Sequence, residues 1–350
     1  MMNTLLLTFL ALLTFAYLFW GFRALPREQW QIMAALPVRR LPDGPWSGVN
    51  LTWYGFFSAN AHLAAVVIFL LLTGALGLPA VTLGLFVAAL LGLCIPASSL
   101  VARLVEKKSH TLTVGGAAFV GLVASPLVLL ASNRAAAAFG IATLPALPLL
   151  AAMGIAYAFG EGLGRLACLS FGCCYGKPLA EASPWLRHLF TPFAVRFFGT
   201  TKKIAYAGNL EGERVLPVQA TTALLYVASG LIGCALFLAA QYAPAFVLTV
   251  TVTQLWRVFS EFLRADFRGT GRLTAYQWMG LAAVLYTLGL VMLLPVEKAG
   301  LALIGDGLAM LWTPNVLLSL QGLWLLIFFA TGRSAVTGST VSFHVRHERI

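Results

Sequence analysis

The sequence predicts an all-α polytopic membrane protein, and three observations predict it. Hydrophobic residues make up 60% of the 350 and charged residues only 10%, with mean hydropathy +0.87, which lies far from a soluble domain. Apolar runs at about 4–22, 56–78, 80–102, 112–132, 144–164, 215–240, 243–263, 274–295 and 313–331 are long enough to cross a bilayer, or nearly so. The polar stretches between them alternate between long or charged and short or nearly charge-free.

Taken in order, the first run has no basic stretch before it and no small-residue cleavage site after it, so it reads as an anchor and not a removable signal. With the loop that follows it forms a unit over 1–50. Residues 51–171 form the first part of a membrane core and 215–295 the second part. Between them, 172–214 is too long for a plain connection and carries Pro184, Pro192, Phe193, Phe197 and Phe198; it is expected to be a small head over the core, with a few short strands. Residues 296–350 add a further C-terminal segment and a tail, VSFHVRHERI, whose weak alternation fits a strand or disorder. Neither internal repeats nor heptads stand out. Cys94 and Cys234 fall inside apolar runs and read as inert core residues.

Chemistry concentrates in GRLACLSFGCCYGK, Gly164 to Lys177, which continues directly from an apolar run. An arginine at mid-membrane costs about 2.5–3.5 kcal/mol on insertion scales, so Arg165 calls for a reason. Glu161 lies one turn earlier on the same face, and the two can share a polar pocket. A second pair at the same spacing, Arg257 and Glu261, ends another apolar run, with Arg264 on the next turn. Two arginines on separate helices can form a planar clamp, which suits a phosphate better than a point charge does. The expected ligand is an anionic lipid headgroup. Cys173 and Cys174 are adjacent and Cys168 sits in a helical run, which argues against an obligatory disulfide. The three thiols lack a second ligand cluster, so the sequence calls for no metal and no cofactor. Nothing in it points to a nucleic-acid partner.

Four stretches, in this order, resemble the prolipoprotein diacylglyceryl transferases of bacterial membranes: WYG from Trp53, GEGLGR followed by GCCYGK over Gly160 to Lys177, LPVQ from Leu216, and RVFSEFLR with LTAYQW over Arg257 to Trp278. The likeness covers about residues 51–295. It implies a bundle of seven family-like transmembrane helices, to which the N-terminal and C-terminal segments are additions. It further implies a location in the bacterial inner membrane and transfer of a diacylglyceryl group from phosphatidylglycerol to a cysteine thiol of a prolipoprotein. Arg165 and Arg257 match the family's two essential arginines, Glu261 and Arg264 its conserved charged positions, and Tyr54 its tyrosine near the membrane surface. By the same resemblance Glu161, Gly164, Gly176, Lys177 and Gln219 belong to the substrate-binding set. The likeness is imperfect on the acceptor side. Val114 precedes Gly115 and Gly116 where the family carries a histidine, and His110, four residues earlier, is the nearest substitute. Cys168 stands in place of an asparagine, Cys173 in place of a glutamate and Thr253 in place of a tyrosine. A cysteine beside arginines has a lowered pKa, which would put Cys168 and Cys173 in the acceptor's activation path.

Charge placement pulls the other way on orientation. All 23 lysines and arginines except Arg134 and Lys298 fall on one face of the expected topology. The positive-inside rule assigns that face to the cytoplasm, whereas the resemblance assigns it to the exterior. Three readings follow: prolipoprotein diacylglyceryl transfer, a diverged transferase that serves another nucleophile (a small thiol, an amine or a lipid), or a lipid-binding protein without catalysis.

Overall fold

A computed structural model describes residues 2–106, 114–266, 273–295 and 300–350. His110 lies outside the described residues. The expected all-α membrane architecture is present. Among the described residues nine long helices carry the fold: α1 (Met2–Ala24), α2 (Trp53–Ala75), α3 (Ala80–Glu106), α4 (Val114–Ala138), α5 (Ala146–Phe171), α8 (Val218–Leu238), α9 (Tyr242–Leu263), α10 (Ala275–Leu293) and α12 (Pro314–Gly332). Shorter helices α6 (Pro184–Phe190), α7 (Lys203–Tyr206) and α11 (Ile304–Leu311) lie between them. Eight of the long helices are apolar and long enough to cross a bilayer; α9 carries Arg257 and Glu261 in its second half.

Helix α5 is the axis of the bundle. Leu149, Ala151, Ala152, Ile155, Ala158 and Phe159 along it are fully buried, and it packs against α2, α8 and α9. Small residues make this possible, since helices in lipid associate by close packing and not by a hydrophobic drive. Gly160 and Gly164 meet Ala65 and Ala61 of α2, and Gly162 meets Tyr226 and Val227 of α8. Helix α1 lies on α8 and α5, with Leu18 fully buried. Helices α11 and α12 cover α2, α10 flanks α9, and α4 touches α10 and α5 while carrying α3 on its outer side.

Strands occur elsewhere than expected. They form one antiparallel sheet of β1 (Ile32–Arg40), β2 (Trp46–Thr52) and β3 (Arg333–Val341) in the order β1-β2-β3, with Ala35 opposite Asn50 and Ser47 opposite Thr340. The tail strand therefore ends on the first residue of VSFHVRHERI, Val341, and the rest of that segment finishes in a short turn of 3-10 helix at His347–Arg349. Period-two alternation in RSAVTGSTV supplies the half-buried face that the later segment lacks. The 172–214 stretch holds helical turns and isolated bridges between Pro178 and Val215 and between Val195 and Val215.

That stretch is tied to the bundle from below. Phe197 and Ile204 are fully buried, and the buried Lys202 donates from Nζ to Leu25 O at 3.1 Å and Ser170 O at 2.6 Å. Both carbonyls belong to helix C-termini or the turn just past one, where a cation is favoured. Burial pushes the Lys202 pKa down to about 8, opposed by the charge of Glu28.

Helices α2 and α12 meet at their glycines. A Cβ on Gly55 would stand 2.2 Å from Gly332 Cα and 2.6 Å from its nitrogen, and backbone cannot move aside as a side-chain tip can. Gly55→Ala is therefore expected to part α12 from α2 and lower stability by about 1–3 kcal/mol. Thermal unfolding in detergent, with Gly322→Ala on the open side of α12 as the control, measures it.

Candidate active site

Polar groups gather where α5, α8 and α9 converge toward the charged face. Tyr157, Glu161 and Arg165 follow one another at every fourth position of α5, so they form a single stripe. Arg165 pairs with Glu161 through Nη2. From α9, Arg257 reaches the same carboxylate, with Nη2 at 3.7 Å from Glu161 Oε1, and donates from Nη1 to Tyr157 Oη at 3.3 Å. The expected ion pair between Arg257 and Glu261 is replaced. Glu261 takes Arg264 instead, at 3.4 Å, and Arg264 also forms a two-pronged pair with Asp266 at 2.8 and 2.7 Å. The reason is geometric: Arg257 points across to α5, while Arg264 sits where α9 ends and its chain folds back over Glu261.

These groups open onto a narrow cleft whose walls include Arg165, Cys174, Gln219, Tyr226, Arg257, Glu261 and Arg264. Arg165 Nε, Gln219 Oε1 and Glu261 Oε2 are buried and have no hydrogen-bond partner among the described residues. Such groups are costly without a ligand or water to satisfy them. The Arg165–Glu161–Arg257 triplet carries one net positive charge, since one carboxylate serves two guanidiniums. Arg264 by contrast is already outnumbered by its two carboxylates.

Gly115 explains how Arg257 fits. A Cβ there would meet Arg257 Cζ and Nη2 and Tyr276 Cδ1, all at 3.1 Å, so the start of α4 packs on the flat guanidinium. Gly116 instead faces Val101 of α3, and Gly164 faces Ala61 of α2, so neither lines the cleft. Gly176 lets two stretches of backbone approach closely: it bridges to Arg264, and a Cβ would stand 2.4 Å from Leu216 O. Lys177 is exposed and outside the cleft lining, with its backbone N–H donating to Leu263 O at 2.9 Å. Gln219 enters the cleft and donates from Nε2 to Cys173 O at 2.9 Å.

The cysteines come together. Helix α5 stops at Gly172, left-handed at φ 67°, and Cys174 is also left-handed at φ 56°, so the chain doubles back on the last turn. The sulfurs of Cys168, Cys173 and Cys174 lie within 4.8 Å of one another. Cys168 Sγ is 3.9 Å from Cys174 Sγ and 3.9 Å from Arg165 Nη1. Tyr54 borders this group, with its ring edge-on to Phe171 at 5.7 Å. The expected lowering of the Cys173 pKa is overturned. Hydrogen bonds to Cys168 and Cys174, together with burial, hold its thiol well above the ordinary range.

Sequence reasoning missed Tyr157 and Tyr226. The former was legible as the first member of its stripe; the latter carries no such signal. Tyr226 donates to Thr253 O at 2.6 Å, placing a buried phenol beside the position where Thr253 replaces the tyrosine expected from the resemblance.

A family model described as prolipoprotein diacylglyceryl transferase matches residues 46–293. No curated protein matches the chain.

Proposed function

Because the chain belongs to the prolipoprotein diacylglyceryl transferase family, and so is a membrane transferase of that kind, we propose that it moves the diacylglyceryl group of phosphatidylglycerol onto a cysteine thiol of a prolipoprotein in the bacterial inner membrane. The observation that carries this reading is the convergence of Arg165 and Arg257, from two helices, on the single carboxylate of Glu161 in a cleft that also exposes Cys174. One net positive charge matches a phosphodiester, which carries one negative charge. The thiolate attacks the glyceryl carbon that bears the phosphate, the C–O bond breaks, and glycerol phosphate leaves with a second negative charge. Guanidiniums already aimed at that site stabilise the charge as it develops. In place of the family histidine, Glu261 Oε2 receives the thiol proton; it is buried beside the cleft and has no hydrogen-bond partner among the described residues, while Oε1 pairs with Arg264.

The test is transfer by the purified protein in phosphatidylglycerol vesicles. A synthetic peptide with one cysteine is expected to gain a thioether-linked diacylglyceryl group as glycerol phosphate is released, and its serine counterpart to gain nothing. Release without modification of the cysteine peptide would overturn this acceptor. It would favour a second reading, with the same donor serving a small thiol or amine, which Val114 in the family's histidine position supports.

Sidedness follows from the acceptor, because prolipoproteins are modified after crossing the membrane. Ser183 is exposed at the start of α6. Ser183→Cys in intact cells is expected to react with a membrane-impermeant thiol reagent beyond the level of the unsubstituted chain. Reaction only after the cells are opened would exclude a prolipoprotein acceptor.

A further inference from the structure

Building on the transferase reading, we infer that Cys168, Cys173 and Cys174 form a three-thiolate site for one zinc-class cation, whose remaining coordination position takes the acceptor thiol. The spacing of the sulfurs is the first ground. A cation with zinc–sulfur bonds of about 2.3 Å holds its sulfurs roughly 3.8–4.0 Å apart, whether tetrahedral or trigonal. Cys168 and Cys174 already stand 3.9 Å apart, and all three sulfurs lie within 4.8 Å of one another. The cluster is also preformed. Its members come from the last turn of α5 and the tight turn behind it, where Gly172 returns the chain and the Cys173 N–H donates to Cys168 O at 3.1 Å.

Charge is the second ground. Three thiolates and a dication leave one negative charge, and the Arg165 guanidinium stands 3.9 Å from Cys168 Sγ, so an anionic cluster there lies beside a cation. Among the described residues the group contains no imidazole or carboxylate. Three protein ligands with a position left for water or substrate are the pattern of a catalytic zinc, whereas a structural zinc is closed by four. Cys174 also lines the cleft that holds the two arginines, so a thiol bound at the fourth position would face the donor.

This supplies what the missing histidine would have done. A coordinating thiol is deprotonated outright. The acceptor's proton passes to Glu261 Oε2, its sulfur attacks the glyceryl carbon as a metal-bound thiolate, and the departing phosphate takes the electron pair of the broken C–O bond. No electrons are exchanged with the metal.

Metal content and cobalt spectroscopy test the site without relying on transfer. The protein purified under reducing conditions in detergent is expected to bind one Zn²⁺ or Co²⁺ per chain, with a sulfur-to-cobalt charge-transfer band. Cys168→Ser and Cys174→Ser should both lose the band while keeping their helical circular dichroism, and Cys234→Ala, buried in α8, should keep it. Adding the cysteine peptide should shift the cobalt ligand-field bands, and the serine peptide should not. Failure of the unsubstituted protein to bind either ion, an unchanged band in both serine variants, or isolation as a metal-free Cys168–Cys174 disulfide would overturn the site. A band indifferent to the cysteine peptide would overturn its role toward the acceptor. Failure of the transferase reading looks different: the bands respond to the peptide as expected, but no diacylglyceryl group is transferred.

Discussion

Arg257→Ala is expected to lower transfer from phosphatidylglycerol by about 10²–10³-fold, or about 3–4 kcal/mol, the usual loss on removing one preorganised donor to a developing oxyanion. Arg165→Ala should fall in the same range, since both guanidiniums meet at Glu161 Oε1. Lysine at either position should recover little, because a point charge on a flexible stem cannot replace the planar fork. Gly115 makes the Arg257 case sharper. Its missing side chain gives the guanidinium its place, so Gly115→Val should reproduce part of the Arg257→Ala defect with the arginine still present. The measurement is glycerol phosphate release in vesicles. Full activity in both alanine variants would remove the clamp from the mechanism.

Glu161→Gln is expected to destabilise the folded protein by about 3–5 kcal/mol, the cost of leaving buried charge without its partner. Here the cost falls on two guanidiniums that would face each other across a neutral amide. Removing one of them as well should return much of the loss, so Glu161→Gln with Arg165→Met should be less destabilised than the sum of the single changes. Phosphatidylglycerol should protect Glu161→Gln more than it protects the unsubstituted chain, because a phosphate can take over the vacated role of counter-ion. Thermal unfolding in detergent, with and without the lipid, reads all three. Additive losses and equal protection would mean that Glu161 does not join the two arginines.

The fold was legible because runs of about twenty apolar residues leave few alternatives in lipid. All nine runs named from the sequence became helices, although α5 extends past Arg165 to Phe171 and so carries Cys168 on its last turn. The sheet was misplaced because pairing between residues nearly three hundred positions apart has no local signature; only the alternation of RSAVTGSTV hints at it. The stripe of Tyr157, Glu161 and Arg165 follows from helical periodicity alone. The choice of Glu161 by Arg257 does not, since it depends on how α5 and α9 cross. The cysteine cluster lies between these cases. A glycine just past a helix is a known stop signal, and Gly172 could have announced the reversal, but the meeting of three sulfurs requires the left-handed turn at Cys174 as well.

The pairing of β2 with β3 also fixes an order of events during synthesis. Strand β2 is made long before its second neighbour, Arg333–Val341, so one of its edges stays open while the nearly three hundred residues between them are synthesised. Every helix of the catalytic core is made in that interval. A nascent chain that stalls or is cut before Arg333 can hold an assembled core and still display an unpaired strand edge, the kind of surface that recruits other chains and quality-control factors. Closing the sheet covers that edge.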